Sequence, residues 1–279
     1  MSASAEIDRG ERFSFGRNWS SFLRTLDPSR IDIAVQSLKD LLQVETLSGQ
    51  TFLDVGSGSG LFSLAARKLG ARVHSFDFDP ASVACAETLR DRFDATPADW
   101  KIEEGSALDR TYLHALGRFD VVYSWGVLHH TGQMWDALEL VSGLVNPHGK
   151  LAIAIYNNQG WRSRAWLRVK QLYCRNQLGR GLVLMVFLPW FFVRAVLVSL
   201  IRGRNEFATY RRHRGMSIVH DWIDWLGGLP FEVATFEELK QFFETRGFRE
   251  LTSRRTRRLG CNEFCFQRTD TADHRGMPA

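Results

Sequence analysis

The sequence predicts a doubly wound α/β fold: a seven-stranded, mostly parallel sheet that closes with an antiparallel hairpin. A helical insertion is expected after the fifth strand. Three observations carry this reading. Between 50 and 156, short apolar runs alternate with helix-spaced segments across short loops, the pattern of parallel strands joined by crossover helices. Two late strand-like runs, Phe248 to Ser253 and Asn262 to Gln267, are close enough in sequence to pair antiparallel. Between these groups, residues 157–230 do not alternate at all.

The elements follow in chain order. Pro28, after Asp27 as N-cap, starts a helix with apolar positions at Ile31, Val35, Leu38, Leu41 and Leu42. Ahead of it, Phe13, Phe15, Trp19 and Phe22 form an aromatic lead-in, read either as packing of a terminal helical cap (1–49) or as a lid over a ligand. Thr51 to Val55 is the first strand, and a glycine-rich turn leads into a helix over Leu61 to Leu69. Arg72 to Phe78 is the second strand, followed by a helix that Asp79 caps and Pro80 begins. Trp100 to Glu104, Phe119 to Trp125 and Lys150 to Tyr156 complete the first five strands, with helical spacing from Met134 to Val145. Thr235 with Glu238 forms a capping box, and Gly247 stops that helix before the hairpin. The core is thus expected at 50–156 and 231–268, with a polar tail at 269–279.

Composition narrows the classes. The 279 residues are 44% apolar and 24% charged, enough to bury a full core and too ordinary for a disordered chain. Four cysteines without a C-x-x-C pair make neither a disulfide framework nor a zinc site. The first ten residues are polar and lack a secretory pattern, which predicts a cytoplasmic protein.

The turn after the first strand reads Asp54-Val55-Gly56-Ser57-Gly58-Ser59-Gly60. A dinucleotide fingerprint would need its third glycine at position 61, which is Leu61. A carboxylate beside the loop disfavours a pyrophosphate and favours a ligand bearing cationic groups, such as the amino group and sulfonium of S-adenosyl-L-methionine. Asp77, ending the second strand, is placed to accept ribose hydroxyls.

These residues resemble the class I S-adenosylmethionine-dependent methyltransferases, a Rossmann-like family. The resemblance implies that Asp54, Gly56, Ser57, Gly58 and Gly60 shape the methionine pocket and that Asp77 holds the ribose. It places Phe78 beside the adenine, Ser106 and Ala107 along its edge, and Ser124 and Trp125 at the end of the fourth strand, lining the same pocket. Within that class, Asn18-Trp19, the Asp-Pro-Ser-Arg helix start and Val127-Leu128-His129-His130 look like the ubiquinone-biosynthesis O-methyltransferase group. By that match Arg30 reaches the cofactor's carboxylate. Relatives in that group can carry E-x-x-E-H at this loop, whereas here the positions read Gly126, His129 and His130. A hard cation loses both carboxylates, so no metal is expected.

His129 and His130 are the candidate acid–base residues for methyl transfer to a hydroxyl. A thiol acceptor, an RNA acceptor and a non-catalytic cofactor-binding regulator are the alternatives. Ser124-Trp125-Gly126 is not the Asn/Asp-Pro-Pro-aromatic motif of nucleobase amino methylation, and no Pro-Cys pair occurs, which counts against nucleic acid.

From 157 to 220 there are twelve Lys and Arg against a single acid, Glu206, and Leu182 to Ile201 is almost wholly apolar. A sheet completed by 248–267 cannot sit across a bilayer from its other strands, so a single crossing is excluded. The stretch reads either as a lid over the acceptor or as a contact with an anionic membrane surface. Both favour a hydrophobic, membrane-associated small-molecule acceptor and a location peripheral to the cytoplasmic face of a membrane. His220, Asp221 and Asp224 are placed by position near that acceptor. The residues set no oligomeric state.

Overall fold

The computed structural model describes residues 6–7, 9–13, 16, 19, 26, 28–94, 96–203, 218–257 and 259–269. Asp27, Asn18 and the tail after 269 lie outside them, as do the side chains of His220, Asp221 and Asp224.

Helix α1 (Pro28–Leu42) precedes β1 (Thr51–Val55), α2 (Leu61–Lys68), β2 (Arg72–Asp77), α3 (Pro80–Phe93) and β3 (Trp100–Glu104). Then come α4 (Arg110–Leu116), β4 (Phe119–Trp125), α5 (Met134–Ser142) and β5 (Val145–Tyr156). The insertion contributes α6 (Trp161–Arg175), α7 (Gln177–Arg202) and α8 (Ile218–Gly227), and α9 (Phe236–Glu244), β6 (Phe248–Arg254) and β7 (Cys261–Arg268) complete the chain.

The seven strands form one sheet in the order β3-β2-β1-β4-β5-β7-β6. The pairs among β1 to β5 are parallel, while β7 runs antiparallel to both β5 and β6. The predicted fold class is therefore the observed one. Alternation along β1 shows how the strands feed both layers. Phe52 faces the layer of α1, α2 and α3 with Leu38, Leu64 and Leu89, while Leu53 and Val55 face that of α4, α5 and α9 with Leu113, Leu138 and Phe243. Strand order reverses on either side of β1, so the carboxyl ends of β1, β2 and β4 open into the crevice where such sheets bind ligands.

Several boundaries differ from the sequence reading, and the fifth strand begins at Val145, five residues before the expected Lys150. The helix expected to reach Val145 ends at Ser142, because Gly143 follows and Val145 already pairs with Phe119. The apolar stretch is the middle of a longer helix: Asn176 caps α7 by accepting from Gly179 N at 2.8 Å, and Gly203 in the left-handed region ends it. In the insertion, Tyr173, Val183, Phe191 and Leu226 make a small third core. Helix α7 presents its other side to solvent, with Leu182, Met185, Val186, Val193, Leu197 and Leu200 all exposed.

Candidate active site

Gly56, Gly58 and Gly60 all have positive φ (76°, 54° and 78°), which L side chains adopt at a cost. Space is refused as well: a Cβ at Gly56 would lie 2.3 Å from Val127 Cγ1, and one at Gly60 2.9 Å from Ala86 Cβ. The loop is tied to β2 by Gly56 N and Ser57 N, which donate to Phe76 O at 2.9 and 3.1 Å. Asp77 then locks it, because its Oδ2 accepts from Gly58 N and its Oδ1 from Asp79 N, both at 2.9 Å. Burial raises the Asp77 carboxyl to about 6, against the pull of those two donors and of Arg12. Asp54 is turned inward at the end of β1. Ser63 Oγ donates to its Oδ2 at 2.6 Å, and burial, with Asp77 nearby, raises it to about 7. Asp54 thus anchors the first turn of α2 beneath the loop. A cradle of glycine main chain over two buried carboxylates suits a ligand with hydroxyl and cationic groups better than a pyrophosphate, and so fits S-adenosylmethionine.

Of the other predicted residues, Phe78 follows Asp77 directly, and Arg12 lies over its ring at 4.9 Å. Ser106 Oγ accepts from Leu108 N at 3.2 Å, and Ala107 is buried in the core cluster with Phe76 and Leu113. The Ala107 side chain is therefore packed inward, while the Ser106 hydroxyl stays in the turn that follows β3. Ser124 is also internal, its Oγ donating to Val55 O at 3.0 Å and so tying β4 to β1. Trp125 stacks on Tyr123 (5.9 Å, 5°) on the α2 face. Arg30 is buried in the first turn of α1, which packs against α2.

His129 and His130 form a single 3-10 turn, Leu128–His130, after β4. Both are buried, and the structure separates them. His130 donates Nδ1–H to Pro230 O at 2.5 Å, which fixes the tautomer and leaves the lone pair on Nε2. His129 is fully enclosed. Tyr156 N donates to its Nδ1 at 3.4 Å, the Tyr156 ring lies 3.9 Å away, and Nε2 has no hydrogen-bond partner among the described residues. Burial is the main reason that both imidazoles stay neutral, with His129 well below the usual range and His130 at about 3. Lys170 of α6 adds to this in both, and Arg12 in His130.

The site contains groups that the sequence reading missed. Glu232 N donates to His129 O at 3.0 Å, and the Glu232 carboxylate accepts from Met134 N at 3.0 Å, so residues 230–232 brace the histidine turn from outside. Lys170 is fully buried, with Nζ bonded to Trp225 O and lying over the rings of Trp225 and Phe231. These partners are scores of residues away in sequence, where no local spacing marks them. Among the described residues, no group of three His, Cys, Asp or Glu could hold a metal ion.

A family model described as "Methyltransferase domain" matches residues 53–151, which span the glycine loop, Asp77 and the histidine turn. Residues 53–151 are thus similar to a methyltransferase domain. Domains of this class use S-adenosylmethionine, as the glycine loop and Asp77 had indicated. Curated relatives include the ubiquinone biosynthesis O-methyltransferases of Rhodopseudomonas palustris, 28% identical over 57% of this chain, and of a Methylobacterium species, 30% identical over 51%. The chain covers 62% and 55% of their lengths, less than two thirds of either. Among solved structures, the magnesium protoporphyrin IX methyltransferase of Synechocystis with bound S-adenosylhomocysteine is similar in fold. Its TM-score is 0.52 at 13% identity, over 86% of this chain and 84% of that one.

Because Asp77 titrates near 6 and Asp54 near 7, both lose charge as the solution is acidified. The ribose contact expected of Asp77 needs its carboxylate form, so affinity for the cofactor should fall as the pH is lowered. Calorimetry with S-adenosylhomocysteine should show weaker binding as pH drops from 8 to 5, approaching about tenfold per pH unit below the carboxyl pKa. Asp77→Asn should bind weakly with a flattened profile. A flat profile in the unsubstituted protein would contradict the assignment.

Proposed function

We propose that the chain transfers the methyl group of S-adenosylmethionine to a hydroxyl of a hydrophobic, membrane-associated small molecule, with His130 as the base. The observation that carries the reading is the Nδ1–H bond from His130 to Pro230 O, which fixes the tautomer of an imidazole that follows the same strand end that meets the glycine loop. When bound, the cofactor supplies an electrophilic methyl on sulfur. The acceptor oxygen forms the new C–O bond as the S–C bond breaks, and the hydroxyl proton passes to His130 Nε2. Neutral at physiological pH, His130 is ready to accept, and its low basicity places the proton transfer late, as the hydroxyl acidifies during attack. His129 serves this turn as an internal brace, packed between Tyr156 and His130.

The acceptor class rests on the insertion. Gln177–Ile201 is the one helix among the described residues long and apolar enough to cross a membrane, yet β6 and β7 return afterwards to the sheet. A helix that cannot cross can lie along the surface. Helix α7 is about 39 Å long at 1.5 Å per residue, exposes an apolar face, and is accompanied by exposed Arg162, Arg164, Arg168, Arg175 and Arg180. That combination supports docking on an anionic leaflet, with the acceptor drawn from it.

With labelled cofactor and a host extract, label should enter an organic-soluble fraction. His130→Ala should slow that labelling by roughly 10²-fold with cofactor affinity retained. Label in RNA, or full activity in that variant, would contradict the reading. Flotation on vesicles containing anionic lipid should recover the protein, and Leu182→Glu with Leu197→Glu should abolish recovery without lowering thermal stability. Equal recovery of the double variant would remove α7 as the contact.

A further inference from the structure

Resting on the methyl-transfer reading, we propose that Arg12 is a positioning residue that ties the cofactor site to the base, joining the ring of Phe78 to the main-chain carbonyl of His130. Its Nη1 donates to His130 O at 3.1 Å, its Nε bonds Glu6 Oε2 at 2.6 Å, and its guanidinium carbon lies 4.9 Å from the Phe78 ring centre. The side chain is only 16% exposed. A planar fork can make all three contacts at once, and a lysine cannot.

Neighbours on the same segment fasten it on both sides of the crevice. Phe13 N donates to Leu229 O at 3.1 Å, next to the proline that holds His130. Gly16 N donates to Asp79 Oδ2 at 2.9 Å, and the Trp19 ring lies against Gly58, where a Cβ would come within 3.0 Å of it. The N-terminal segment therefore touches the glycine loop, the Asp77–Asp79 turn and the histidine turn, and Arg12 touches two of these with one group.

The charge also has a task. Asp77 is surrounded by Asp54 on β1, Asp79 on its own turn and Arg12 on the strap. Of these, Arg12 is the cation, and it favours the ionised carboxylate that ribose hydroxyls require.

The test is calorimetric titration of the full chain with S-adenosylhomocysteine across pH. Arg12→Ala should weaken binding about tenfold, the loss expected for a charged hydrogen bond, and move the acid limb to higher pH because Asp77 protonates more readily. Arg12→Lys should keep the limb in place through its charge while binding a few-fold more weakly than the unsubstituted protein. Glu6→Gln, which loosens Arg12 but leaves its charge, should behave like the lysine variant and serves if Arg12→Ala does not fold. A strap with a merely structural role would lower the melting temperature without moving the limb. Unchanged affinity and limb in Arg12→Ala, or equal limb shifts in the alanine and lysine variants, would overturn the proposal. If the unsubstituted protein does not bind the probe, the methyl-transfer reading itself fails; if it binds and Arg12→Ala matches it, only the role of Arg12 fails.

Discussion

The Asp77 carboxylate, buried at the end of β2, accepts the N–H of Gly58 through one oxygen and that of Asp79 through the other. This double acceptance fixes the glycine loop relative to the second strand, and the left-handed glycines make the loop compact enough to be held there. It also orients Asp79, whose side chain caps α3 through Ala81 N and receives Gly16 N from the N-terminal segment. Remove the carboxylate, and the loop, the third helix and the strap lose a common anchor. Burying such a group costs free energy, which is visible in its raised pKa, and a ligand with hydroxyl and cationic groups would recover part of that cost.

A second constraint operates at the opposite wall of the crevice. The histidine turn has little regular structure to hold it, and it is braced by partners from far along the chain: Pro230 O on His130, Glu232 N on His129 O, and Tyr156 beside His129. The end of β5 and the junction where the insertion rejoins the core thus close this wall together. Lys170, buried between Trp225 and Phe231, brings a positive charge towards both imidazoles and helps to keep them neutral.

Much of the sheet was legible because each strand is bounded by turn chemistry that acts locally. Asp79-Pro80, Thr235 with Glu238, and the glycine loop mark their boundaries from within a few residues. The apolar spacing over Met134 to Val145 predicts a longer helix than the one that ends at Ser142, because it continues past Gly143 into residues that the sheet claims. In the site, Asp77 was legible as the residue ending β2. The inward turn of Asp54 was not, since it depends on Ser63 nine residues further on, and neither was the packing of Ala107 or the Ser124 bond to Val55 O. The pairing of His130 with Pro230 spans 100 residues, and that of Arg12 with His130 spans 118. Separations of that size are set by the fold as a whole and leave no local pattern.

The central claim is that this glycine loop and its buried carboxylate hold S-adenosylmethionine and not a dinucleotide. Parallel calorimetric titrations of the full chain at neutral pH, one with S-adenosylhomocysteine and one with NAD, test it most directly. Saturable binding of S-adenosylhomocysteine at one site per chain, with no heat from NAD, is the predicted result. Saturable binding of NAD with none of S-adenosylhomocysteine would contradict it.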